Sequence, residues 1–159
     1  MSFESRVLGD TQVGDELDEL VYLVTPTTVV LGALASRDYR PMHHDKDFAV
    51  NRNGVRDIFL NTPNQAAWFE RYVTDWTGPA GRLGRMTFQM KGSVFPGDSM
   101  VFSGSVTSVE VDEVGCGWVT LAVTLTVGDE IKTTCEVKVA LGVDDRDNPW
   151  ERRGERWKP

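Results

Sequence analysis

The second half of the chain alternates apolar and polar residues with a period of two. From Trp118 to Val127 the odd positions Val119, Leu121, Val123, Leu125 and Val127 are apolar, and Thr120, Thr124 and Thr126 fall between them. From Ile131 to Val143 the odd positions are again mostly apolar, alternating with Lys132, Thr134, Glu136 and Lys138. Successive side chains of a strand point to opposite faces, so this pattern predicts strands with one face buried. Gly128-Asp129 between them is a tight hairpin signal. Gly115-Cys116-Gly117 turns a preceding strand, Ser99 to Val114, into this pair. A further strand fits Leu83 to Gly92 and ends before Phe95-Pro96-Gly97-Asp98, and an early strand covers Leu17 to Val24.

The first half carries two helical signals. Thr25-Pro26 reads as an N-cap followed by proline at the first helical position, with Val29, Val30, Ala33 and Leu34 after it. In Thr62-Pro63-Asn64-Gln65, Thr62 and Gln65 make a capping box and Pro63 opens a helix. Phe69, Tyr72, Val73 and Trp76 then follow at i, i+3, i+4 and i+7, an apolar helical face, until Gly78-Pro79 stops it. One long aromatic helix followed by four strands, with another strand ahead of it, predicts an α+β protein. The sheet has one apolar face to cover, and wrapping it around the helix does so. That arrangement is a single hotdog fold, assigned here to residues 1–143. Residues 144–159 are read as a charged C-terminal tail, flexible or docked on a partner.

Composition narrows the function. With 24 acidic and 17 basic residues the net charge is -7, which argues against nucleic acid as a partner. The N-terminal residues from Met1 to Arg6 show no apolar run of a signal peptide, and no stretch approaches the ~20 apolar residues that span a bilayer. Two cysteines, Cys116 and Cys135, lack metal-ligand spacing and point to a reduced, cytoplasmic setting.

The candidate chemistry lies in one segment. The two histidines of the chain, His43 and His44, stand side by side, five residues after Asp38 with Pro41 between. Asp38 and His43 are a plausible acid–base pair on a short non-helical segment, where both can grip one water. His44 is the weaker candidate, since neighbours in an extended segment point to opposite sides. A metal site of His43, His44 and Asp45 lacks a further ligand to complete it, and none is assigned. At the start of the aromatic helix, amides near Asn61 and Thr62 stand where an oxyanion could be stabilised.

Asp38-Tyr39-Arg40-Pro41-Met42-His43, followed by Asp45 and Ala49, resembles the signature of the MaoC-like acyl dehydratases, the (R)-specific enoyl-CoA hydratase family. That signature runs Asp, any residue, Asn, Pro, an aliphatic residue, His. Arg40 stands in place of its Asn. Arg37-Asp38, His43-His44-Asp45, the run Arg56 to Asn61 and the run Arg71 to Pro79 further resemble the small MaoC-like subunit of actinobacterial hydratases that act on steroid side-chain thioesters in cholesterol breakdown. The resemblance implies hydration of a trans-2-enoyl-CoA with a bulky steroid-type acyl chain, with Asp38 and His43 as the catalytic pair that activates the water. It implies a backbone N–H oxyanion donor at Asn61, which aligns with a family glycine. It also implies pairing with a second hotdog subunit, as a homodimer or with a larger MaoC-like chain. No cofactor is expected, coenzyme A being part of the substrate. Arg56, Arg82, Arg85 and Lys91 are cations available to its phosphates, none of them assigned. Two other readings share the fold: a non-catalytic hotdog partner that completes another subunit's site or binds acyl-CoA, and a hotdog thioesterase.

Overall fold

The computed structural model describes residues 5–159, so Met1 to Glu4 of the expected leader-free N-terminus lie outside the described residues. The elements run β1 (Glu16–Leu23), α1 (Pro26–Ala35), α2 (Lys46–Asn53), α3 (Thr62–Thr77), β2 (Arg82–Met90), β3 (Ser99–Val111), β4 (Gly117–Val127) and β5 (Glu130–Leu141). All five strands form one antiparallel sheet in the order β1-β3-β4-β5-β2. The fold is α+β and of the hotdog type, with the sheet packed on α3.

The alternation in β4 and β5 decides which face is buried. Val119, Leu121, Val123 and Leu125 face inward with Cys135, Val137, Val139 and Leu141. From α3 come Phe69, Tyr72 and Val73, all buried, and Phe69 meets the ring edges of Phe88 on β2 and Phe102 on β3 at centroid distances of 5.3 and 5.0 Å. Trp76, expected on the same face, is only half-buried and carries the Arg6 guanidinium over its ring.

Several expectations are corrected. Strand β3 stops at Val111 rather than Val114, because the Asp112 carboxylate accepts the N–H groups of Val114 and Cys116 and closes a turn there. The N-cap of α3 is Asn61, not Thr62: the Asn61 side chain accepts from the Asn64 N–H. The capping box at Thr62 and Gln65 therefore does not form. Gln65 turns instead into the core, where it is 1% exposed. Helix α2 was not foreseen, although its signals are present: Asp45 caps it through the Phe48 N–H, and Gly54 ends it in the left-handed region with φ 68°.

Helices α1 and α3 pack closely at Gly32. A Cβ placed there would come within 1.9 Å of Asn64 Nδ2, which donates to the Thr28 carbonyl at 3.0 Å.

The tail docks on the chain's own sheet. Trp157 packs on Trp118 with ring centroids 4.9 Å apart, and the Arg82 guanidinium lies 3.6 Å above the Trp157 ring. Arg82 also donates to the Pro149 and Arg152 carbonyls, and Trp150 Nε1 donates to the Gly81 carbonyl. No helix among the described residues is long and apolar enough to cross a membrane.

Candidate active site

The site begins where α1 ends. Arg37 has φ 55°, in the left-handed region that non-glycine residues seldom adopt. It closes a Schellman-type cap, with the Arg37 N–H on the Leu34 carbonyl and the Asp38 N–H on the Ala33 carbonyl. This reversal turns the chain sharply before Asp38. Pro41 then opens a short 3-10 turn, Pro41–His43, which carries His43 inward and leaves His44 exposed.

The two histidines are thus separated by backbone geometry. His43 is 4% exposed and its Nδ1 lies 2.8 Å from the Phe59 carbonyl. A carbonyl only accepts, so Nδ1 carries the hydrogen and, in the neutral ring, Nε2 keeps its lone pair. Nε2 faces Asp38 Oδ2 at 3.4 Å. Two acceptors at that separation do not bond each other; they suit a donor with two hydrogens seated to one side, within reach of both. The Phe59 ring meets the imidazole edge-on at 4.9 Å and limits its tilt.

Asp38 is held by its neighbours. Asn61 Nδ2 donates to Asp38 Oδ2 at 3.1 Å and to Ser36 Oγ at 2.8 Å, while the Arg40 N–H approaches Oδ1 at 3.3 Å. The Asn61 amide is the main reason that the Asp38 carboxyl sits below its ordinary value of 3.8; partial burial works against it, and the Arg40 N–H adds to the lowering. The Arg40 side chain is exposed. Arg40 therefore braces the loop through its backbone, and the side-chain amide on Asp38 comes from Asn61, across from the loop.

A cavity of about 160 Å³ is lined by Asp38, His43, Leu60, Asn61, Gln65 and Met90 among others. A broader open cleft of about 750 Å³ runs along Arg37 to Pro41 and the first residues of α3. Asp38 borders both. The Asn61 backbone N–H has no acceptor among the described residues. No cluster of three metal-ligating side chains occurs among the described residues. Of the cations considered for phosphates, Arg56 is ion-paired to Asp98 and lies over the Phe95 ring, and Arg82 is committed to the tail. Arg85 and Lys91 are exposed.

Sequence reasoning missed the roles of Ser36, Phe59 and Gln65. For Gln65 a signal existed. Thr133 is a polar residue at an odd, inward position of β5, fully buried, and its hydroxyl donates to Gln65 Oε1 at 2.8 Å. A polar residue on the apolar face of a strand requires a buried partner. The role of the Phe59 carbonyl had no side-chain signal at all.

No family model matches the chain. It is 37% identical over 131 residues to the 3-oxo-4,17-pregnadiene-20-carboxyl-CoA hydratase beta subunit of Mycobacterium tuberculosis, covering 81% of this chain and 97% of that one. Among solved structures, the ChsH1–ChsH2 complex from Mycobacterium tuberculosis matches with a TM-score of 0.77 at 35% identity, covering 82% of this chain and 98% of that one. The (R)-hydratase from A. caviae involved in PHA biosynthesis matches with a TM-score of 0.74 at 22% identity, covering 83% of this chain and 98% of that one, and shows the fold alone.

Proposed function

Because the chain belongs to the MaoC-like hydratase family of hotdog proteins, we propose that it adds water across the double bond of a trans-2-enoyl-CoA thioester, with Asp38 and His43 holding the water. The observation that carries this reading is the pair of acceptors, Asp38 Oδ2 and His43 Nε2, 3.4 Å apart, with His43 Nδ1 already committed to the Phe59 carbonyl. A water donating one hydrogen to each presents a lone pair to the β-carbon. Its oxygen bonds to that carbon, a proton passes through the acid–base pair to the α-carbon, and the whole water is incorporated. Negative charge gathers on the thioester oxygen as the bond forms. The Asn61 N–H at the start of α3, without an acceptor among the described residues, is the donor for it. The reaction is redox-neutral and calls on no cofactor; coenzyme A enters with the substrate.

The acyl group we propose is bulky and steroid-like, a reading supported by the 37% identity to the Mycobacterium tuberculosis hydratase beta subunit. The cavity of about 160 Å³ holds the reacting atoms but is smaller than the ~300–1,000 Å³ of whole-ligand pockets. The rest of the acyl chain then extends into the open cleft, and a second hotdog subunit forms its other wall. Two buried thiols fit a reducing, cytoplasmic compartment.

The experiment is a hydration assay that follows loss of the enoyl-thioester absorbance over short, long and steroidal enoyl-CoAs, with the chain alone and with its hotdog partner. Asp38→Asn and His43→Gln should each lower the rate by ~10²–10⁴ while the protein stays folded. Wild-type rates in both variants would sink the assignment. Release of free CoA thiol would point to a thioesterase instead.

A further inference from the structure

Gln65 is 1% exposed and lines the same cavity as Asp38, His43 and Asn61. Its Oε1 is fixed by the Thr133 hydroxyl at 2.8 Å, yet its Nε2 has no hydrogen-bond partner among the described residues. Buried donors are paired in the great majority of folded proteins, and a donor left alone is costly. Here the core could have removed the cost with a leucine or methionine at residue 65 and a valine at residue 133. It holds a polar pair instead, oriented so that the donor end is the free one.

Position along the helix explains what this donor is for. The Gln65 N–H bonds the Asn61 carbonyl at 3.1 Å, so the two residues stand one turn apart on one face of α3. Helical side chains lean toward the N-terminus, which tilts the Gln65 amide back over the turn that begins at Asn61. The cavity therefore has two chemically opposite walls. The loop after α1 supplies acceptors, Asp38 Oδ2 and His43 Nε2. On the α3 side stand Asn61 and Gln65, whose backbone N–H and Nε2 respectively have no acceptor among the described residues. Acceptors suit the hydrogens of water; donors suit an oxygen that gains charge.

We propose that Gln65 is a second donor to the thioester oxygen, its Nε2 amide and the Asn61 backbone N–H converging on the same developing oxyanion. This rests on the enoyl-thioester reading above. Thr133 is then a positioning residue, which keeps the amide from turning its oxygen toward the substrate oxygen.

The test uses the full chain in its native assembly, with two probes: crotonyl-CoA as substrate and butyryl-CoA as a ligand that does not react. In the wild type, saturation with butyryl-CoA should shift both the His43 ring resonances and the Gln65 side-chain amide resonances. The double variant Gln65→Met, Thr133→Val should keep or raise the thermal midpoint, since it removes an unpaired buried donor. It should lower kcat for crotonyl-CoA by ~10–10² with little change in KM, in line with loss of one of two oxyanion donors. Gln65→Glu, which puts an acceptor in the donor's place, should lose more. If the His43 ring responds to butyryl-CoA and the Gln65 amide does not, or if the double variant hydrates crotonyl-CoA at the wild-type rate, the role of Gln65 is overturned while the hydratase reading stands. If neither group responds and neither crotonyl-CoA nor any other enoyl-CoA is hydrated, the hydratase reading falls and this proposal with it.

Discussion

The side-chain amide of Asn61 donates to Asp38 Oδ2 at 3.1 Å across 23 residues of sequence, and the same side chain accepts the Asn64 N–H at 3.2 Å as the N-cap of α3. One residue thus starts the central helix and clamps the carboxylate. Arg40, which stands in place of the signature Asn, gives Asp38 only its backbone N–H, and the side-chain amide that reaches Asp38 comes from Asn61 on another element. The clamp favours the charged carboxylate, which is the form that accepts a hydrogen from water.

Asn61→Asp separates the clamp from the cap. The new carboxylate still accepts the Asn64 N–H, but it sets a like charge beside Asp38. The acid limb of the pH–rate profile should move to higher pH, because Asp38 loses the donor that holds its value down and gains a repelling neighbour. Stability follows the same sign. A carboxyl lowered in the folded state contributes stability that is full above its unfolded value near 3.8 and lost as pH falls through the lower folded value. The deficit of the variant should be largest at neutral pH and narrow below about pH 4. Urea unfolding at several pH values, together with the rate profile, checks both.

The thiols should be inert in the folded protein. Burial pushes Cys135 up to about 12 and also raises Cys116, and both are at most 3% exposed. The thiolate is the reactive form, so neither should react with a thiol dye at neutral pH until the protein is unfolded in denaturant. The same property leaves a clean baseline for detecting CoA release. Rapid labelling of the native protein would contradict the packing described for β4 and β5.

Gly32→Ala should destabilise, against helix propensity. Alanine is favoured over glycine by about 1 kcal/mol inside a helix. Here, however, the added Cβ would lie 1.9 Å from Asn64 Nδ2 and force apart α1 and α3. Overpacking of this kind costs about 1–3 kcal/mol, and the Asn64 bond to the Thr28 carbonyl is lost with it. A net loss of about 1–3 kcal/mol is expected in denaturant unfolding. A gain in stability would show that the helices separate freely.

Arg82→Ala should release the tail. Arg82 donates to the Pro149 and Arg152 carbonyls and covers Trp157, which packs on Trp118. Charged hydrogen bonds and a cation–π contact together suggest a loss of about 2–3 kcal/mol. Tryptophan emission should shift to the red as Trp157 meets water, with KM for crotonyl-CoA unchanged. A raised KM with unchanged emission would return Arg82 to the phosphates of coenzyme A.

The sequence by itself located the five strands, the helices α1 and α3, and the catalytic candidates. Period-two alternation in β4 and β5 located the buried sheet face, and the spacing of Phe69, Tyr72 and Val73 located the helix face that meets it, because both depend on local geometry and apolar burial alone. Asp38 and His43 were legible because they share one short segment. Tertiary structure decided everything that depends on distant chain segments. It chose Asn61 over Thr62 as the cap, since Asn61 alone also reaches Ser36 and Asp38. It fixed the hydrogen of His43 through the carbonyl of Phe59, a backbone group that every residue type carries and no sequence pattern marks. It also folded the tail onto Arg82 and set Gln65 against Thr133, 68 residues away. A hydrogen bond is read only when both partners are in place, and the sequence lists partners without saying which will meet.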